Sequence, residues 1–494
     1  MGKYILAIDQ STQGTKALIL EQNGSLVARA DRPHHQMIDE KGWVEHDPEE
    51  IYQNLLLVVK DVVKRAQISK NEIVGIGISN QRETALVWDK DGKPVYPAIV
   101  WQCARGQEIC DRLKESQTVD ADILVREHTG LPLSPYFSAS KIAWIFEHVP
   151  YVKERAREGS LYCGTMDTFL VYRLTDGDSY RTDYSNASRT QLFNISTLSW
   201  DEEICRLFDI PHGMLAEVVD SDAFYGMTDL EGYLELPIPI HSVFGDSHGA
   251  LFGQGCLQTG MGKATYGTGS SVMMNVGENP VFSKHGLTSS LAFAVDGKIY
   301  YALEGNINYT GAVITWLQED LKLIESPKET AEWAKRSAAE DKSYLVPAFS
   351  GLGAPYWNGK ATGSFTGITR TTGKAEMIRA ALDCIAYQIT DVLKAMEEDS
   401  QIRMKELRVD GGPTRNSYLM QFQSDIAGIA VCIPEDEELS GIGAGYAAGL
   451  KLGLYNQEEL YARRKNMIYQ PSMLENVQKE KYRGWKAAIE KVLR

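Results

Sequence analysis

The eight residues "DQSTQGTK", Asp9 to Lys16, place one carboxylate, three hydroxyls, two amides, a glycine and an ammonium between two apolar runs. Such a set has two uses. Polar residues with a Gly close an ordinary turn between strands. The same residues also hold a phosphate, because exposed backbone N–H groups, short hydroxyls and a Gly let an anion approach the main chain. Thr12, Gln13, Gly14 and Lys16 are the candidates for that contact. Asp9 closes the first apolar run, where a carboxylate suits a magnesium ion held through water. The loop is not the G-x-x-x-x-G-K-[ST] pattern, which occurs nowhere in the chain.

A second polar Gly/Thr turn lies in "KATYGTGSSVMMNVG", so a polyphosphate gripped from two sides becomes the sharper reading of both turns. Further on, "VDGGPTRNSYLM" offers backbone at Gly411 and Gly412 for close approach to a nucleotide. Asn416 near the following helix start is placed to bond a ribose or base. Phosphoryl transfer also needs a group that accepts the acceptor hydroxyl's proton. Asp246 in "SVFGDSHGAL" stands between an apolar strand and a helix. It reads as a helix N-cap or, beside the second phosphate turn, as a general base. Arg82 and Glu83 in "SNQRET" read as a surface ion pair or as a donor–acceptor pair for vicinal hydroxyls. Trp101 and Tyr136 read as core or as walls of that acceptor site.

The elements that must position these residues follow a repeated order. Strands at residues 3–8, 17–21 and 26–30, with Asn23-Gly24 as a hairpin signal, precede a helix in "HDPEEIYQNLLLVVKDVVKRA". There Asp47 is the expected N-cap, Pro48 the first helical residue and Glu50 the partner in a capping box. Ile51, Leu55, Val58, Val59, Val62 and Val63 form one apolar face. A buried strand, "EIVGIGIS", ends at Arg82 and Glu83. Downstream the pattern returns: strand, polar turn and strand at "KATYGTGSSVMMNVG", two more strands around Asp296-Gly297, then a helix in "TGAVITWLQEDLKL". Two β-β-β-α units predict duplicated α/β domains facing one another, residues 1–252 and 253–494, with the boundary near residues 251–260. The small residues of "ELSGIGAGYAAGLKLG" predict a tight helix contact.

Bulk properties narrow the function. At 494 residues the chain exceeds one typical core. A net charge of −15 disfavours sequence-independent nucleic-acid binding, which rests on basic residues. Seven scattered Cys without a C-x-x-C pair predict free thiols in a reducing cytoplasm and argue against a zinc site. The opening "MGKYILAIDQ" has no long apolar region, so neither a signal peptide nor a membrane span is expected. The sequons at Asn186, Asn194 and Asn308 then read as chance.

Together these segments resemble the FGGY carbohydrate kinases, and within them the glycerol-phosphorylating branch, over nearly the whole chain. "DQSTQGTKA", "GWVEHDPEEI", "TDYSNASRTQLFNI", "KATYGTGS", "VPAFSGLGAPYW" and "LRVDGGPTRNSYLMQFQSDI" carry the likeness, and "YFSASKIAW" and "GSFTGITRTTGKAEMIRAALD" fit the two family signatures. The resemblance implies two actin-like, ribonuclease-H-like domains with ATP in the cleft between them. It implies Asp246 as the catalytic base, with magnesium near Asp9 and Asp246. It puts Thr12, Gln13, Gly14, Lys16, Thr268, Gly311, Thr315, Gly412 and Asn416 at ATP. It puts Arg82, Glu83, Trp101, Tyr136, Asp246 and Ser247 around a small polyol or sugar, glycerol first, and it implies a homo-oligomer, dimer or tetramer.

The departures are local. Ser247 stands where the branch has Gln, Ser271 where it has Phe, Thr315 where it has Gln, and Lys16 where it often has Arg. Two small hydroxyls in place of large side chains predict a roomier, more polar acceptor site, so a tetritol, pentitol or ketopentose competes with glycerol. An actin-like ATPase switch without an acceptor and a catalytically silent homologue are the readings from other classes. The acceptor residues weigh against the first, and intact Asp9, Thr268 and Asp246 against the second.

Overall fold

The computed structural model describes residues 2–115 and 120–494. In the N-terminal half β1 (Tyr4–Gln10), β2 (Gly14–Leu20) and β3 (Leu26–Pro33) form an antiparallel meander. Helix α1 (Pro48–Ala66) crosses to β4 (Ile73–Asn80), which pairs parallel to β1. Helix α2 (Ser138–His148) follows in an inserted segment. Strands β5 (Gly226–Thr228) and β6 (Ile238–Gly245) complete a six-stranded sheet in the order β5-β6-β4-β1-β2-β3. Asp47 caps α1 as its spacing predicts, accepting from the Glu49 N–H at 2.9 Å. The capping box does not form. Glu50 instead accepts from the His35 N–H at 3.0 Å and fastens β3's exit to the helix. Ile51, Leu55, Val58, Val59 and Val62 are fully buried against the sheet. Each such side chain stabilises by about 1.5–3 kcal/mol relative to exposure.

Helix α3 (Asp246–Gly253) leads into the C-terminal half. There β7 (Met261–Tyr266), β8 (Ser270–Gly277), β9 (Thr288–Val295) and β10 (Lys298–Ile307) are followed by the short helix α4 (Gly311–Thr315). The long helix α5 (Lys374–Ser400) precedes β11 (Glu406–Asp410), helix α6 (Ser417–Ala427) and β12 (Ala430–Pro434). Helix α7 (Leu439–Lys451), β13 (Asn466–Tyr469) and helix α8 (Glu475–Leu493) complete the half. Its sheet runs β9-β10-β8-β7-β11-β12-β13. The four strands read from the sequence before α4 all form, so this unit leads with one strand more than the three of the N-terminal unit. The hairpin at Asp296-Gly297 places β10 next to β8 and pushes β9 to the edge. The helix predicted at "TGAVITWLQEDLKL" is α-helical only to Thr315. It then widens into a π-turn over Trp316–Asp320, with the Leu321 N–H donating to the Trp316 carbonyl at 3.0 Å.

The halves share one apolar layer. Ile5, Ala7, Leu18 and Leu20 of the first sheet and Met273 and Phe293 of the second belong to a single buried cluster with Ile442 and Ala447 of α7. The small residues of α7 make this possible, as their spacing predicts. A Cβ added at Gly443 would lie 1.9 Å from the Gly249 carbonyl oxygen, and one at Gly253 2.2 Å from that of Leu439. Helices α3 and α7 thus cross backbone to backbone, and α3 carries Asp246 at its first turn. Among the described residues no helix is long and apolar enough to cross a membrane.

Candidate active site

Both polar turns sit where a central strand ends. In the first, the Ser11 N–H and hydroxyl both bond the Gly14 carbonyl at 2.9 Å, which holds the turn tight. Thr12 is its most engaged member: its hydroxyl accepts from the Trp101 indole N–H at 2.9 Å, and its carbonyl lies 3.0 Å from His34 Nε2. The Gln13 side chain is exposed. Gly14 answers a packing need, since a Cβ there would lie 2.6 Å from the Arg32 carbonyl oxygen of β3. Lys16 extends its ammonium to Glu438, 2.7 Å away, and to Asp9, 3.8 Å away.

In the second turn the Thr268 carbonyl accepts from the Thr310 and Ala312 N–H groups at 2.9 and 3.1 Å, while Gly267 accepts from Gly311. A Cβ at Gly311 would lie 2.7 Å from the Gly267 carbonyl oxygen, so glycine is what allows this contact. Thr315 turns its hydroxyl back to the Gly311 carbonyl of its own helix, at 3.3 Å. The Gly411-Gly412 turn joins the same region. Gly411 has φ +97°, and a Cβ on it would lie 2.0 Å from the Tyr266 carbonyl oxygen. Gly412 faces open space. A cavity of about 550 Å³ is lined by Lys16 and Glu438 on one side and Asp410, Gly411, Gly412 and Thr414 on the other. Asn416, read from sequence as a nucleotide ligand, is bonded within the protein at both ends of its amide. It caps α6 by accepting from the Leu419 N–H at 3.0 Å and donates to the Thr330 hydroxyl at 2.8 Å.

The acceptor residues also converge. Asp246 Oδ1 accepts from Arg82 Nε at 3.1 Å and from the Ser247 N–H at 2.6 Å, which leaves Oδ2 for another partner. Its side chain is 35% exposed. Arg82 and Glu83 are not an ion pair with each other, on the surface or elsewhere. Arg82 grips Glu304 with both terminal guanidinium nitrogens, at 2.9 and 3.0 Å. Glu83 accepts from Arg189 Nε at 2.6 Å. Glu83 has φ +60°, and the Thr84 N–H bonds back to the Arg82 carbonyl at 2.7 Å. A three-residue turn of this hand is strained for a residue with a Cβ and is typical of positions held for function. Trp101 and Tyr136 face one another with ring centres 5.4 Å apart. Burial and the Glu83 carboxylate both push the Tyr136 hydroxyl pKa up, so it stays a neutral donor. The ammonium of Lys141 pins the loop that carries it, donating to the Pro135, Tyr136 and Phe137 carbonyls at 2.5–3.1 Å.

Asp9 is buried with Oδ1 lacking any hydrogen-bond partner. Burial pushes its pKa up to about 6, Lys16 opposes the rise, and Asp246 and Glu438 add to it. An unpartnered carboxylate oxygen in the field of a second carboxylate fits a cation. Among the described residues no cluster of three or more ligating side chains exists to cage one. Asp9 and Asp246 therefore suit magnesium, which keeps several waters and binds through one or two carboxylates and substrate phosphates.

Sequence reasoning passed over Arg189, Glu304 and Lys141. The signal for Glu304 was a carboxylate inside the apolar strand "YYALEG", and a buried charge requires a partner.

Comparison with known proteins agrees with this fold. The chain matches the N-terminal domain of the FGGY family of carbohydrate kinases over residues 4–253 and the C-terminal domain over residues 262–452. It is 46% identical to a glycerol kinase of Alkaliphilus oremlandii, covering 100% of this chain and 98% of the relative. It is 45% identical to one of Petrotoga mobilis, covering 99% and 98%. The structure superposes on Plasmodium falciparum glycerol kinase with ADP at a TM-score of 0.94 and 34% identity, covering 100% of this chain and 99% of that one. A gluconate kinase from Lactobacillus acidophilus shares the fold at a TM-score of 0.89 and 20% identity. Two domains of one fold, two polar turns and an acceptor carboxylate between them are what a kinase of this kind requires, and the chain belongs to the FGGY family of carbohydrate kinases.

Proposed function

We propose that this protein transfers the γ-phosphoryl group of ATP to a terminal hydroxyl of glycerol, giving glycerol 3-phosphate and ADP. The observation that carries this is Asp246: Arg82 and the Ser247 N–H fix Oδ1, and Oδ2 is free to accept the hydroxyl proton. As the hydroxyl oxygen bonds to phosphorus, its proton passes to Oδ2 and the bond to the ADP oxygen breaks. Arg82 and Glu83 hold the remaining hydroxyls by donating and accepting, and Trp101 and Tyr136 wall the carbon chain. Thr12, Gln13, Gly14 and Lys16 from one half and Thr268 from the other meet the phosphates. Gly311, Thr315 and Gly412 line the nucleoside side, and Asn416 supports it by capping α6. Magnesium, near Asp9 and Asp246, neutralises charge on the phosphates when bound.

Full-length relatives named glycerol kinase at 45–46% identity support glycerol as the acceptor. The roomier site expected from Ser247 and Ser271 has one restriction: the Ser271 hydroxyl donates its proton to Glu304 at 2.9 Å, so it offers an added carbinol only acceptor lone pairs. The test is ³¹P NMR of the product formed from ATP with glycerol, tetritols, pentitols and ketopentoses offered separately. Glycerol is expected to give the highest kcat/KM, and a clear preference for a longer acceptor would overturn the assignment. The seven free, buried thiols support work in a reducing cytoplasm. Met467 and Ile468, exposed on the edge strand β13, support assembly into a dimer or tetramer, which sedimentation would reveal.

A further inference from the structure

Four charged side chains from two halves of the molecule alternate in sign behind the acceptor site. Arg82 and Glu83 follow the end of β4, and Arg189 comes later in the same half. Glu304 comes from β10, in the other half. Glu83 bonds Arg189 at 2.6 Å, Arg189 meets Glu304 at 3.0 Å, and Glu304 takes both terminal nitrogens of Arg82. All four side chains are at most 6% exposed, and Glu304 is 0% exposed. The two guanidinium groups hold the Glu304 carboxyl well below the usual carboxylate range, against the effect of burial.

Glu304 has one further partner. Ser271 of β8 donates its hydroxyl to Glu304 Oε1 at 2.9 Å. Ser271 directly follows Ser270, whose hydroxyl lies 2.7 Å from that of Thr310, the residue before Gly311. An unbroken path thus runs from Arg82 through Glu304 and Ser271 to the second phosphate turn. Its members touch the acceptor site at one end and the nucleotide site at the other.

We propose that Glu304 is the positioning residue of the acceptor site, aiming Arg82 directly and Glu83 through Arg189, and that Ser271 couples it to the second phosphate turn so that nucleotide binding tightens acceptor binding. This rests on Arg82 and Glu83 being acceptor ligands. A carboxylate with bidentate grip sets the plane and direction of an arginine. A guanidinium released from it turns, and the hydroxyls it was aimed at lose their donor. Displacement of the turn by phosphate moves Ser271, and with it the carboxylate that aims Arg82.

The test uses the full-length enzyme. In Glu304→Gln the glycerol KM is expected to rise by about 10-fold or more with the ATP KM changed by less than about threefold, the split that separates acceptor positioning from general damage. Glu304→Gln leaves two buried cations short of charge and can fail to fold, so Ser271→Ala is the second variant. Glycerol affinity is measured by calorimetry with and without a non-hydrolysable ATP analogue. Wild type is expected to bind glycerol at least about fivefold tighter with the analogue, the low end of usual coupling, and Ser271→Ala to lose most of that gain. Equal rises in both KM values for Glu304→Gln, no coupling in wild type, or full coupling in Ser271→Ala would overturn the proposal. Arg82→Ala separates the premises: if it leaves glycerol KM unchanged, the acceptor reading itself falls, and the proposal with it.

Discussion

At Asp9 a carboxylate is held in the protein interior with one oxygen unpartnered and only a shared lysine for compensation. Its pKa of about 6 lies above the ordinary value of 3.8. The folded state therefore takes up a proton more readily than the unfolded chain. The contribution to stability is full below about pH 4 and is lost as pH rises through about 6. A two-unit shift corresponds to roughly 3 kcal/mol. Two outcomes follow. Without ligands, Asp9→Asn should melt at a higher temperature than wild type at pH 8 and at a similar one at pH 4, measured by scanning fluorimetry. With magnesium and ATP, the wild type should gain thermal stability at pH 8 and lose that gain as pH falls below about 6, whereas Asp9→Asn should gain little at either pH. At Asp246, replacement by Asn should reduce kcat by about 10²–10⁴-fold, the usual worth of a general base, while ADP titrated into the variant still binds. Asp246 drew two readings from the sequence, helix N-cap and general base; in the structure it is the first residue of α3 rather than its cap, and its carboxylate takes only the Ser247 N–H of that helix. Glu304 was not legible in the sequence. Its partner Arg82 is 222 residues away, and only the fold brings the two together.

At the scale of elements, the packing that places Asp246 depends on backbone contact between α3 and α7. Gly443→Ala puts a methyl group where the Gly249 carbonyl stands. Overpacking of this kind costs about 1–3 kcal/mol. The variant should unfold at lower urea concentration than wild type, with kcat reduced as well because α3 carries the base. An unchanged urea midpoint would show that the helices separate without cost. The glycine-rich spacing of α7 announced this contact in the sequence, as hydrophobic periodicity announced α1 and strand-turn-strand patterns announced β1, β2, β7 and β8. The order of β9 and β10 was not announced. A hairpin signal at Asp296-Gly297 fixes which strands pair with each other, and it leaves open which of the two joins the sheet. The π-turn after Thr315 was hidden for a related reason: the apolar spacing of "GAVITWLQ" suits an α-helix, and the widening appears only where that helix meets the rest of the structure.

Over the whole molecule, two halves built on one pattern meet at a shared apolar layer, and each contributes one polar turn, proposed above to hold phosphate. On the proposed reading, the acceptor ligands Arg82 and Glu83 come from the N-terminal half, and Glu304, the carboxylate that would position them, from the C-terminal half. Such an arrangement makes phosphoryl transfer depend on both substrates being present, because the elements that hold one also orient the other. It also separates a kinase from a nucleotide switch of the same fold, which would hydrolyse ATP without any acceptor. The most direct measurement is the steady-state rate of ADP release from ATP and magnesium, with and without glycerol. Glycerol is expected to raise that rate by about 100-fold or more, on the scale of the general-base and positioning effects that only a bound acceptor brings into play. An ADP release rate that is the same with and without glycerol would contradict the account.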